Sequence, residues 1–71
     1  MDMTTHLLTP RETQIFQLLV QNIETNDIAR KLHISEKTVR NHISNVIQKL
    51  GVTNRTSAIL ELIKLKIIKI N

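Results

Sequence analysis

The sequence predicts an all-α fold of four helices, and three observations carry that expectation. Helix-start signatures stand at Thr9, Ser35 and Asn54, residue types whose side-chain oxygen can take up an orphan backbone amide. The chain's one proline and one glycine, Pro10 and Gly51, fall at element ends and leave the periodic segments unbroken. Within those segments, apolar residues recur at the spacing of a helix buried along one side.

The first helix announces itself at Thr9-Pro10-Arg11-Glu12. Thr9 caps it, Pro10 suits the first helical position, and Glu12 completes a capping box. Ile15, Phe16, Leu18 and Leu19 form its apolar stripe, and Asn22, which tolerates positive φ, is its stop. A short second helix from Thr25 to Leu32 buries Ile28, Ala29 and Leu32. Only His33 and Ile34 then separate it from Ser35, the next cap. Two helices joined by so short a turn cross steeply, which is a helix-turn-helix arrangement.

The third helix runs from about Glu36 to Lys49. With Val39 as origin, Ile43, Val46 and Leu50 all lie within about 40° of it, one narrow buried stripe. The opposite face holds Lys37, Arg40, Asn41, Ser44 and Gln48, every one a hydrogen-bond donor. Gly51 ends the helix as a left-handed residue, and Val52 can pack back on Ile47 in a Schellman stop. The fourth helix starts at Asn54 and runs to about Leu65, with Ala58, Leu62 and Leu65 as its core stripe. A second stripe, Ile59, Ile63 and Ile67 with Leu60 beside it, finds no partner in so small a domain. Apolar surface of that extent marks an interface.

Seventy-one residues make one domain, read here as a flexible leader over 1–7 and a helical domain over 8–71. The core of such a chain is thin, so stability must come from regular helices or from pairing with a second copy. The absence of cysteine excludes disulfide staples and thiolate metal sites. No apolar run is long enough for a membrane span and no signal peptide opens the chain, so a cytoplasmic location is expected. The net charge of +4 is concentrated centrally, where Lys37, Arg40, Lys49 and Arg55 face only Glu36 between Ser35 and Arg55. That distribution suits a polyanionic partner, although a merely soluble basic surface would look the same. There is no glycine-rich phosphate loop, no nucleophile beside a general base and no paired carboxylates, so no enzyme activity is expected. His6, His33 and His42 have no partners at metal-ligating spacing, and neither a metal, a cofactor nor a small-molecule ligand is implied.

Several ordered blocks carry a family resemblance. Leu8-Thr9-Pro10-Arg11-Glu12, Ile28-Ala29, the run from Ile34 to Ile43, Lys49-Leu50-Gly51-Val52 and Asn54-Arg55 together resemble the LuxR-type helix-turn-helix family. The chain is most similar to its stand-alone, GerE-type branch, over roughly Leu8 to Leu65. The resemblance implies four helices, the second and third forming a DNA-binding unit and the fourth mediating dimerisation. By position, Arg40, Asn41 and Ser44 match residues that meet base edges. Thr38, His42 and Lys49 match residues that touch or support the sugar-phosphate backbone. Three positions depart from the family pattern. Gln14 replaces a glutamate, Asn26 replaces a lysine that can contact phosphate, and Lys66 replaces a glycine after the fourth helix, so that helix can run on or end differently.

The chemistry agrees with the resemblance. A major groove admits an α-helix and presents a distinct donor and acceptor pattern for each base pair. Arg40 can pair bidentately with guanine and Asn41 with adenine, at about 1–3 kcal/mol of discrimination each. Thr38, His42 and Lys49 share one flank of the helix, where a groove-inserted helix meets a phosphate strand. Lys37 and Lys31 can add charge contacts to phosphate. His42 is either such a donor or a half-buried packing residue. Glu12 serves as capping-box partner or as ion-pair partner of Arg55.

The leading expectation is a homodimeric, sequence-specific regulator of transcription on double-stranded DNA. It would use a pseudo-palindromic operator, Ile59, Leu60, Ile63 and Ile67 as dimer interface, and RNA polymerase as a further candidate partner. No sensor domain is recognisable in these residues. The alternative is a protein-interaction and dimerisation module of a larger regulator, without DNA specificity of its own. Single-strand coating is disfavoured because Phe16 is the one aromatic residue, too few for a base-stacking surface.

Overall fold

The computed structural model describes residues 7–70 and contains, among them, four α-helices and no strand. These are α1 (Pro10–Leu19), α2 (Thr25–Leu32), α3 (Glu36–Leu50) and α4 (Arg55–Lys64). α3 is the hub and packs against each of the other three. The all-α expectation therefore holds.

Three helix starts are capped by the residues the sequence marks. The Glu12 amide donates to Thr9 Oγ1 at 3.1 Å and the Thr9 amide to Glu12 Oε1 at 2.9 Å, a closed capping box. Ser35 Oγ accepts from the Thr38 amide at 3.0 Å, and Asn54 Oδ1 from the Ser57 amide at 2.8 Å. α2 is the exception, since Glu24 precedes it without a side-chain cap bond.

The helix ends share one device. Asn22, His33, Gly51 and Lys66 all take the left-handed conformation, with φ between 57° and 67°. Each donates its amide three residues back, and the next residue donates five residues back, at 2.9–3.3 Å. That pair of bonds is the Schellman motif, and it satisfies carbonyls that would otherwise be left over. The Gly51–Val52 stop and the Asn22 stop match expectation. At Lys66 the family glycine is missing but the geometry is retained, so α4 does not run on.

The core is built from Leu8, Ile15, Phe16, Leu19, Ile28, Ala29, Val39, Ile43, Val46, Ala58, Leu62 and Ile68. The helical members fall on the stripes read from periodicity, and Phe16, central and fully buried, is its largest side chain. Leu7 also packs against this core, and residues 1–6 of the expected leader lie outside the described residues.

Two details correct the reading of the C-terminal end. Ile59, Ile63 and Ile67 are half-buried against the core rather than left without partners in the domain, and Leu65 is not part of that packing. Instead the chain after Lys66 folds back and buries Ile68. Gln17 on α1 holds it there. Its Nε2 donates to the Lys69 carbonyl at 2.8 Å, and its Oε1 accepts from the Lys69 amide at 3.2 Å. One side-chain amide thus satisfies both polar groups of a backbone residue with no helix to join.

Candidate nucleic-acid interface

α3 presents one face to the core and the other to solvent. Val39, Ile43 and Val46 are buried, while Lys37, Arg40, Asn41, Ser44, Asn45 and Gln48 are exposed. The six exposed side chains all carry donors, and the surface is continuous along the helix. Sequence reasoning passed over Asn45. It lies between the expected base-reading residues and the expected phosphate flank, and the same helical wheel that located the others places it there.

Thr38 and His42 lie half-buried on the flank. Thr38 shares a hydrogen bond with Ser35 Oγ at 2.8 Å, so its hydroxyl is tied to the turn that leads into the helix. Lys37 and Lys31 are exposed. Among the described residues, no group of histidine and carboxylate side chains is placed to hold a metal ion.

Lys49 has an internal partner. Its Nζ lies 2.5 Å from Glu12 Oε1, and the Glu12 side chain is only 4% exposed. Glu12 therefore has the capping role and an ion pair together, with Lys49 as the partner in place of Arg55. The bond joins the end of α3 to the start of α1, across 37 residues of sequence. Burial by itself pushes the Glu12 carboxyl up. The hydrogen bond from Lys49, the Thr9 amide and the fields of Lys49 and His42 oppose this and outweigh it, so the group titrates below its ordinary 4.5. Gln14, the neutral replacement on α1, accepts a 3.3 Å hydrogen bond from Arg11 Nη1.

Arg40 is oriented from the start of its own helix. Its Nη2 donates to Glu36 Oε2 at 2.7 Å, and the same oxygen accepts from Thr25 Oγ1 at 2.9 Å. The Glu36–Arg40 spacing is legible in the sequence as an i, i+4 pair. The link to Thr25 is not, because it depends on how α2 crosses α3.

The family model for bacterial regulatory proteins of the luxR family (GerE) matches residues 6–62. The spore germination protein GerE of Bacillus subtilis (strain 168) is 59% identical over 59 residues, covering 83% of this chain and 80% of that protein. The transcriptional regulatory protein DegU of Brevibacillus brevis is 48% identical over 59 residues, but the chain spans only 25% of its length. Among solved structures, that of the transcription factor GerE superimposes with a TM-score of 0.90 at 62% identity, covering 92% of this chain and 97% of that one. The response regulator ChrA of a heme-sensing two-component system gives 0.80 at 43% identity, covering 86% of this chain and 30% of that one. A match of this extent in sequence, joined to the same four-helix arrangement, shows that the chain belongs to the luxR family of bacterial regulatory proteins, as a GerE-like DNA-binding regulator of transcription and not an enzyme.

Proposed function

We propose that this regulator is sequence-specific, that α3 enters the major groove of duplex DNA, and that two copies act together on a pseudo-palindromic operator. The observation that carries the reading is the exposed donor face of α3, set over a buried stripe and held by all three other helices. A rigidly seated helix can hold its side chains in register with base edges. Arg40, Asn41 and Ser44 read bases. Lys37, Thr38 and His42 position the helix on the phosphates, and Lys49 adds to them with the protons that Glu12 does not use.

One such helix reads few base pairs, which favours a two-fold arrangement with half-sites about one helical turn apart. The proposed contact between copies uses α4 and the turn after it, with Leu60, the outward parts of Ile59 and Ile63, and Ile67 beyond the helix end. Leu60 is 58% exposed and, with three half-buried isoleucines, extends one apolar strip along this side of the domain. The DNA partner is the bacterial nucleoid in the cytoplasm, and contact with RNA polymerase would follow if the operator adjoins a promoter.

Selection of duplexes from a random pool, followed by sequencing, tests the reading. A repeated motif with dyad symmetry is expected. Self-association with no enriched motif at moderate salt would instead favour the interaction-module alternative.

A further inference from the structure

Arg40 reaches solvent from α3 with one edge of its guanidinium already engaged. Nη2 donates to Glu36 Oε2 at 2.7 Å, and that oxygen also accepts from Thr25 Oγ1 at 2.9 Å. Thr25 opens α2 and is half-buried, whereas the Arg40 side chain is 65% exposed. A long exposed arginine would otherwise sample many rotamers, and ordering it on DNA would cost entropy at the moment of binding. Here the Glu36 carboxylate, one turn earlier on α3 and tied to Thr25 of α2, biases it toward one orientation. Arginine has five N–H donors in a planar fork, so the bond to Glu36 leaves an edge free for a bidentate pair with guanine.

We infer that Glu36, held by Thr25, is a positioning residue that sets which base Arg40 reads, so that part of the operator specificity resides in a side chain that need not touch DNA. This rests on the proposed base-reading role of Arg40. It has an electrostatic signature that a plain stability role lacks. A carboxylate at the DNA-facing end of α3 repels phosphate, so its loss should strengthen non-specific binding while weakening discrimination at one base pair.

The test compares the parent protein with Glu36→Ala, Glu36→Gln, Thr25→Val and Arg40→Ala, each selected against a random duplex pool and then titrated on the selected site and its single-base variants. Thermal melting would establish that each variant is folded, and Glu36→Gln and Thr25→Val keep the test open if Glu36→Ala is not. Discrimination at the base pair lost in Arg40→Ala should fall about three- to tenfold in Glu36→Ala, a fraction of what a whole bidentate pair supplies. It should fall less in Glu36→Gln and Thr25→Val, and non-specific binding should be equal or tighter. In an Arg40→Ala background, Glu36→Ala should change discrimination no further.

Unchanged discrimination in a folded Glu36→Ala would overturn the inference. So would sharper discrimination with tighter cognate binding, which would make Glu36 a competitor that Arg40 must leave. Failure of the parent to select any motif would overturn the proposed function itself, an outcome separate from either.

Discussion

Arg40 and Asn41 are adjacent in sequence and about 100° apart on α3, so in the proposed groove-inserted arrangement they would address different base pairs. Arg40→Ala and Asn41→Ala are each expected to lower discrimination by about 1–3 kcal/mol at a different position of the selected motif. Competition titrations with single-base variants would locate each position, and a uniform loss across all sequences would mean the residue binds phosphate instead. Glu12 and Lys49 differ in what their removal leaves behind. Glu12→Gln keeps an acceptor for the Thr9 amide and frees a lysine that can reach water, a cost of about 1 kcal/mol. Lys49→Met leaves a buried carboxylate without its cation and should cost more, about 1–3 kcal/mol. Because the folded Glu12 carboxyl titrates below its ordinary 4.5, its contribution is complete above that pH and is lost as pH falls from there through the folded value. Chemical denaturation between pH 6 and 3 (about the range where carboxylates titrate) should show a shallower loss of stability in Glu12→Gln than in the parent. Parallel curves would mean that other groups carry the acid sensitivity. The capping role of Glu12 was legible from Thr9-Pro10-Arg11-Glu12. Its pairing with Lys49 was not, because neither local spacing nor charge pattern connects residues so far apart.

At the scale of single elements, sequence and structure agree most closely where the relevant forces are local. Caps, stripes and stops act within a few residues, so Thr9, Ser35, Asn54, Asn22 and Gly51 all do what their chemistry suggests. Lys66 is informative because, like His33 and unlike Gly51, it closes its helix in the left-handed conformation with a full side chain, at the position where the family has glycine. A residue with a Cβ pays for that φ, and the packing of Ile68 beyond it supplies the compensation. Lys66→Gly is therefore expected to stabilise the domain by about 0.5–1 kcal/mol, a rise of several degrees in melting temperature for a chain of this size. An unchanged or lower melting temperature would show that the lysine side chain contributes something the geometry does not reveal. The proposed phosphate contact of Lys37, on the exposed face of α3, belongs to the same scale. Lys37→Ala should reduce the slope of log affinity against log salt by about one while leaving base preference intact. An unchanged slope would place Lys37 away from the DNA backbone.

For the whole molecule, the question is how little core holds a binding surface in place. Every helix contributes to one cluster, with Phe16 fully buried within it. Phe16→Ala should cost about 3–5 kcal/mol, enough to unfold much of so small a domain. A cooperative melt near that of the parent would sink this view of the core. Packing also changes the choice of variant for the proposed dimer. Ile63 supports the core from its half-buried position, so a charge there would disturb folding as well as association. Leu60→Glu confines the perturbation to the surface, and sedimentation should show a shift toward monomer with the melting temperature little changed. An unaltered monomer–dimer balance would move the contact away from Leu60. The sequence by itself determined the four helices, their approximate limits, their buried stripes apart from that of α4, and the donor face of α3, because each follows from backbone hydrogen bonding and periodicity within a few residues. Only the tertiary structure decided that Lys49 pairs with Glu12, that Thr25 anchors Glu36 beneath Arg40, and that Ile68 returns to the core under the grip of Gln17. Those contacts depend on how separate helices cross, which is settled by packing the whole core at once.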